Sequence, residues 1–272
     1  MPEKPEVITV AKKISSEIIG KEITGCNVYW DNIIATDINS FKKNIIGEKI
    51  INVTTRGKFI VIELTNYSLL VHLRMEGKFF FRKNGDVINK HEHVELILDN
   101  DISFRFHDVR KFGKMYLIPK EDTYSIKPLC ELGYEYDDSN LTSDYLLGKF
   151  KNKNLPIKSV LLDQSIITGI GNIYDDEILF MSRIDPLRKA SSLTKKDCDN
   201  IINNCRVVLN KAVKLGGTTI KSFTSSEGVH GLFQNELLVH GKIGEVCPDC
   251  GTDIIKIKVN GRGTYYCPNC QK

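Results

Sequence analysis

Eight cysteines stand in the 272-residue chain, and four of them are spaced for metal chemistry. Cys247 and Cys250 form one C-x2-C pair and Cys267 and Cys270 a second, with sixteen residues between the pairs. That spacing lies within the window of zinc sites. Each pair sits in a turn sequence, CPDCG or CPNC, that aims two thiolates at one point. Four thiolates complete the closed tetrahedral shell of a structural zinc, leaving no open position for catalysis. The intervening DIIKIKVNGRGTYY alternates apolar and polar residues about Asn260-Gly261, which reads as a hairpin with a two-residue turn. A zinc ribbon is therefore expected at 241–272, with Arg262 at the hairpin tip.

The other cysteines have plainer readings. Cys198 and Cys205 repeat at helical spacing with Ile201, Ile202, Val208, Leu209, Ala212 and Val213 behind a Thr194 cap, so they belong to the core stripe of a long helix. Cys26 falls in an apolar strand pattern. Cys130 has no pattern that places it.

Composition bounds the class. The apolar fraction of 41% and charged fraction of 26% are ordinary for a globular chain and exclude collagen, a coiled-coil rod and wholesale disorder. Net charge is +4 with a pI near 8.5, short of the pI of about 9 that marks a nucleic-acid binder by charge alone. No run of about 18 apolar residues suggests a membrane span. The start, MPEKPEV, has no apolar stretch behind a basic flank, so no signal peptide is expected. The expected compartment is intracellular, with cysteines as thiols or metal ligands and not disulfides.

The elements that must position any site read as two kinds. Residues 5–19 form an amphipathic helix with Val7, Val10, Ala11, Ile14 and Ile18 inward and Gly20 at its end. Short β-rich runs follow at 22–30, 49–55, 58–64, 68–74, 78–82, 93–98, 102–107 and 113–118, the pattern of a sandwich or barrel. Residues 1–120 are thus expected as one β-rich domain with a leading helix. The polar stretch 121–141 reads as a linker. Residues 142–240 read as a helical domain, with helices starting near Ser143, at about 156–165, at about 172–182 and from 195. Thr168-Gly169-Ile170-Gly171 joins two of these helices as a helix-turn-helix variant does, with Asn172 placed to cap the second. Amides at such a helix start suit an anion; an ordinary helical hairpin fits the same residues. Residues 216–234 are Gly/Ser/Thr-rich and read as a loop.

Five segments, taken together and in order, carry a resemblance: MPEKPEV, HLRMEGKF at 72–79, DVRKFG at 108–113, PIKSVLLDQSIITGIGNIYDDE at 156–177, and GRGTYYCPNCQK. The chain resembles bacterial formamidopyrimidine-DNA glycosylases, the family shared with endonuclease VIII. The resemblance implies an α+β protein: an N-terminal helix plus β-sandwich domain, then a helix-two-turn-helix domain with a zinc-ribbon β-hairpin, flanking a DNA groove. It implies a base-excision-repair enzyme that removes oxidised purines such as 8-oxoguanine from duplex DNA and cuts the abasic strand by β,δ-elimination. The implied cofactor is one structural zinc. The implied partner is double-stranded DNA with oxidised purines or abasic sites, with no membrane. A monomer in the bacterial cytoplasm, associated with the nucleoid, is expected.

The resemblance also assigns roles. Pro2, exposed as a secondary amine once Met1 is removed, is the implied nucleophile. An α-amine, with an ordinary pKa of about 7.7–8.0, is neutral far more often at pH 7 than a lysine, and an amine that adds to C1′ gives an iminium that drives elimination. Glu3 is the implied acid and base, and Glu6 would position the terminus. Lys58 and Arg262 complete the implied catalytic set, both by way of phosphates. His72, His91, Lys158, Asn172 and Arg262 are implied DNA contacts. Met75, Arg110 and Phe112 match the triplet that fills the gap left by an extruded base; pattern alone would bury Met75 and Phe112 in a core, and His72 too. Thr218 and Thr219 would meet the lesion. Lys4, Tyr265, His240 and Lys242 depart from the family pattern, and Lys242 cannot supply the bidentate contact of an arginine. Three alternatives stand beside this reading: an endonuclease VIII-like enzyme for oxidised pyrimidines, a non-catalytic damaged-DNA-binding module, and a zinc-ribbon protein of translation.

Overall fold

The computed structural model describes residues 1–99, 101–218 and 231–272. The chain divides into two compact units, Met1–Cys130 with Gly216–Gly231, and Glu131–Leu215 with Leu232–Lys272.

In the first unit, helix α1 (Lys4–Ile18) precedes strand β1 (Ile23–Val28), helix α2 (Ile38–Ile45) and strands β2 (Ile50–Arg56), β3 (Phe59–Leu64), β4 (Tyr67–His72), β5 (Lys78–Lys83), β6 (Glu92–Leu98), β7 (Ile102–His107) and β8 (Lys114–Pro119). The strands build two four-stranded antiparallel sheets, ordered β1-β6-β7-β5 and β2-β3-β4-β8. One core joins α1, α2 and the facing sides of both sheets, with Val7, Ile14, Phe41, Ile62, Val71, Leu96 and Phe104 among its members. This is the sandwich with a leading helix that the β-rich runs predict. Helix α2 is an addition. It is only eight residues long, starts on an Asp37 side chain that accepts from Ser40 N–H, and buries just Phe41 and Ile45. A stripe of two residues is too short to register as a helical period.

The second unit holds helices α3 (Ser143–Phe150), α4 (Ile157–Leu161), α5 (Asn172–Met181) and α6 (Lys195–Lys214), then the hairpin of β9 (Ile255–Val259) and β10 (Arg262–Tyr266). Thr194 caps α6 in a capping box with Asp197, and Cys198 and Cys205 lie fully buried on its inner stripe. Burial pushes the Cys198 thiol up to about 12 and raises that of Cys205 further, as inert core thiols require.

Three expected boundaries move. Residues 121–141 are not one linker, because Tyr136 and Leu141 sit in the second unit's core and Tyr134 bridges to Ile167. The zinc ribbon is not a separate body, because Cys247, Ile254 and Cys267 pack with Phe180 of α5 and Val239. Gly216, Gly217, Thr218 and Gly231 group with the first unit instead of the helices, and Thr218 is bonded to Glu6 of that unit.

Candidate functional site

Pro2, Glu3, Lys4, Pro5 and Glu6 are all buried. Glu3 N–H donates to Glu6 Oε2 at 2.9 Å, which fixes the first turn of α1. The other oxygen, Glu6 Oε1, accepts from Thr218 N–H at 2.7 Å and from its hydroxyl at 3.1 Å. Gly217 permits this approach. It holds φ at 79°, and a Cβ there would lie 2.5 Å from Glu6 Oε1. Lys4 turns its ammonium to β2, donating to Thr55 Oγ1 at 3.0 Å.

Several charges converge on the α-amine of Met1. Burial lowers its pKa below the ordinary value; Glu3, Glu6 and Glu76 raise it and Lys58 lowers it, leaving a net decrease. Thus the structure brings Glu3, Glu6 and Lys58 within electrostatic reach of one amine, together with Glu76, which the sequence reading did not single out. Its place directly after Met75 was the available signal. Lys58 is buried in the two-residue turn between β2 and β3, and Gly57 before it takes φ 54°. His72 ends β4 opposite Phe59, with the two rings edge-on at 4.8 Å. Its Nδ1 accepts from Arg74 N–H at 3.0 Å. Burial, with help from the charges of Arg74 and Lys58, holds its pKa down at about 3. The ring is therefore neutral at pH 7, with its proton on Nε2.

The residues matched to gap filling are not core residues. Phe112 is 50% exposed, Arg110 is exposed, and Met75 is half-buried. The Arg110 guanidinium lies over the Phe112 ring at 4.8 Å. His91 is half-buried, its ring edge-on to His107 at 5.6 Å. Thr219 lies outside the described residues.

The second unit gathers its own set. Gly171, not Asn172, occupies the cap of α5. Asn172 is the first helical residue, and its Nδ2 donates to Gly263 O on β10 at 2.8 Å. The expected capping role is thus replaced by a tie to the hairpin. A second tie runs from Asn260 Nδ2 to Ser159 Oγ on α4 at 2.7 Å. Asn260 and Gly261 both take positive φ, 45° and 81°, as the two-residue turn demands, and exposed Arg262 follows directly.

Lys158 corrects the expectation of a DNA contact. Its side chain is fully buried, with Nζ 2.6 Å from Asp176 Oδ1, 3.4 Å from Asp175 Oδ2 and 3.0 Å from Asn172 O. An ammonium enclosed by two carboxylates has no face for a phosphate; it instead anchors the start of α5. Asp176 also meets His240 Nδ1 at 2.6 Å, and Glu177 accepts from the N–H groups of Leu238, Val239 and His240. Three consecutive acids of α5 therefore bind α4 and the chain leading into the ribbon.

The four cysteines Cys247, Cys250, Cys267 and Cys270 have sulfurs within 4.8 Å of one another. Cys247–Cys270 and Cys250–Cys267 are 3.8 and 3.5 Å apart. Tetrahedral zinc with bonds of about 2.3 Å separates its thiolates by about 3.8 Å. The cluster fits one structural zinc.

Comparison with known proteins covers the same ground. Residues 1–115 match the formamidopyrimidine-DNA glycosylase N-terminal domain, residues 132–224 the H2TH domain of that family, and residues 244–272 the zinc finger found in FPG and IleRS. A Bacillus cereus formamidopyrimidine-DNA glycosylase is 44% identical over 100% of this chain and 99% of its own length. One from Oceanobacillus iheyensis is 41% identical over 100% and 98%. The solved complex of Lactococcus lactis Fpg with DNA containing an abasic site superposes with a TM-score of 0.92 at 34% identity, covering 99% of each chain. With three matched segments in order and full-length relatives above 40% identity, the chain belongs to the formamidopyrimidine-DNA glycosylase family.

Proposed function

We propose that this protein excises oxidised purines from duplex DNA and then cleaves the abasic strand, as a bifunctional glycosylase and AP lyase. One observation carries the reading: Pro2 is buried at the start of α1 beside buried Glu3 and Glu6, with Glu3 N–H held on Glu6 Oε2 at 2.9 Å, and the Met1 amine just ahead of it feels the charges of Glu3, Glu6 and Lys58. Burial at this point of the chain, which lowers the pKa of the Met1 amine, favours the neutral lone pair that addition to a sugar carbon needs. With Met1 removed, the ring nitrogen of Pro2 takes that place. It adds to C1′ as the C1′–base bond breaks, the base leaving with the proton shed by the ring nitrogen; Glu3 protonates the sugar ring oxygen as the bond from C1′ to that oxygen opens, and an iminium remains. Glu3 then takes a proton from C2′ and the 3′ phosphate leaves; a second elimination releases the 5′ phosphate. Lys58 and the Nε2–H of His72 hold phosphates beside the lesion, and His91 lies along the same strand.

Met75, Arg110 and Phe112 fill the space of the extruded nucleotide. Arg110 donates to the Watson–Crick edge of the orphaned cytosine. In the second unit, Arg262 and the first turn of α5 with Asn172 grip the backbone. Zinc, held by Cys247, Cys250, Cys267 and Cys270, shapes the hairpin that presents Arg262. Among the described residues no helix is long and apolar enough to cross a membrane, and the workplace we infer is the nucleoid of a bacterial cytoplasm.

A protein named MutM has been solved with DNA containing carbocyclic 8-oxo-G, and it superposes with a TM-score of 0.92 at 34% identity over 100% of both chains. The test of substrate is incision of matched duplexes carrying 8-oxoguanine or thymine glycol. Faster cutting of the 8-oxoguanine strand is expected. Preference for thymine glycol would replace this reading with the endonuclease VIII-like one.

A further inference from the structure

We propose that Asp108 is a positioning residue that builds the Arg110–Phe112 loop into its DNA-filling shape before DNA arrives. The inference rests on the function proposed above and names a part of that site.

Asp108 follows β7 directly and is completely buried. Its carboxylate gathers three loop amides. Oδ1 accepts from Arg110 N–H at 3.0 Å, and Oδ2 accepts from Phe112 N–H at 2.8 Å and Gly113 N–H at 2.7 Å. Its carbonyl accepts from Lys111 N–H at 3.2 Å and meets His93 Nε2 at 2.8 Å, and its own N–H donates to His91 O. The loop backbone thus curls around one buried anion.

Two further contacts hold the loop from outside. Lys111 sits in the left-handed region at φ 58°, and its ammonium lies 3.8 Å from the centre of the Trp30 ring. Gly113 packs on Phe106 so closely that a Cβ would lie 2.5 Å from its Cζ, and a Cβ on Gly77 would lie 2.8 Å from the same atom. The loop that carries Met75 and the loop that carries Arg110 and Phe112 are therefore seated on one ring.

The side chains contrast with this backbone. Val109 is 51% exposed and Phe112 50%, and Arg110 and Lys111 are exposed as well. A loop that only joined β7 to β8 would turn its apolar side chains inward. Here a fixed backbone presents them outward. Ordering the loop in advance removes that cost from the step in which a nucleotide leaves the stack.

Asp108→Asn tests the assignment. The amide keeps one acceptor but turns its NH2 either toward the donors of both Phe112 and Gly113 or toward that of Arg110. Excision of 8-oxoguanine opposite cytosine in single turnover is expected to fall about tenfold or more. Cleavage of a single-stranded abasic oligonucleotide, which has no partner strand to part from, should stay within about twofold. In an Arg110→Ala/Phe112→Ala background, Asp108→Asn should add less than about twofold, because it acts through those side chains. Trp30 is the chain's single tryptophan, and acrylamide should quench it more strongly in the variant. Equal loss on both substrates, an unchanged duplex rate, or full additivity overturns the proposal. A measurement on the unaltered protein stands apart from the variant's folding: amides of Arg110, Phe112 and Gly113 should resist hydrogen exchange without DNA, and free exchange there overturns the proposal too. If the unaltered protein fails to cut the lesion duplex, the functional reading falls, and amide protection still reports on the loop.

Discussion

Replacing Lys158 by methionine separates two roles that a lysine in a DNA-binding domain can have. Its ammonium is fully buried between Asp176 at 2.6 Å and Asp175 at 3.4 Å, with Asn172 O at 3.0 Å. Methionine matches the stem in length and removes the charge, leaving two enclosed carboxylates without their cation. Breaking a buried pair from one side costs about 3–5 kcal/mol. At about 2–4 °C per kcal/mol for a chain of this size, the melting temperature should fall by about 10 °C. Adding Asp176→Asn should recover part of that loss, since it removes one stranded charge. DNA binding gives the complementary readout. A cation that neutralises a phosphate contributes about 0.9 to the slope of log affinity against log salt. Lys158→Met should leave that slope unchanged, whereas Arg262→Ala should lower it by about 0.9. A Lys158→Met variant with an unaltered melting temperature and a reduced salt slope would refute the buried-anchor account.

Three further outcomes follow from the geometry. The His72 ring is held at about 3, below its unfolded value of about 6.5, so only the unfolded chain gains this proton as pH falls from 6.5 toward 3. Its contribution to stability is complete above pH 6.5 and declines by about 1.4 kcal/mol per pH unit below it. Urea melts at pH 7 and pH 5.5 should show a smaller difference for His72→Asn than for the parent chain, and equal differences would contradict the neutral ring. Gly217→Ala drives a Cβ toward Glu6 Oε1 and should lower 8-oxoguanine excision about tenfold through loss of the Thr218 bonds; an unmoved rate would show that tie to be idle. Metal analysis should find one zinc per chain. Cys267→Ala should lose it and weaken DNA binding at least as much as Arg262→Ala, and retained binding would separate the ribbon from DNA contact.

Much of this was legible in the sequence because it is local. The paired C-x2-C turns with Asn260-Gly261 between them state the ribbon outright. The alternating runs of the first half state the strands, since each buries one face. What stayed hidden depends on partners far along the chain. Lys158 reads as an available cation because Asp175 and Asp176 lie on another helix. Asn172 reads as a cap because its true partner, Gly263 O, is 91 positions away. Arg105 lies on β7 and is fully buried against Glu92 and Glu95 of β6, a pairing no local pattern states. Tyr136 and Leu141 sit in a polar stretch whose weak periodicity conceals two core residues. Met75 and Phe112 show the opposite case. Their apolar character points inward, and only the family resemblance placed them at the surface, where the structure has them.

The central claim is that chemistry begins at the amine of the second residue. Borohydride reduction during reaction with 8-oxoguanine:cytosine duplex should trap a covalent protein–DNA adduct. Peptide mass mapping of that adduct should place the sugar on Pro2, with Met1 absent, and Pro2→Gly should trap far less. An adduct on Lys58, or active protein that retains Met1, would contradict the account.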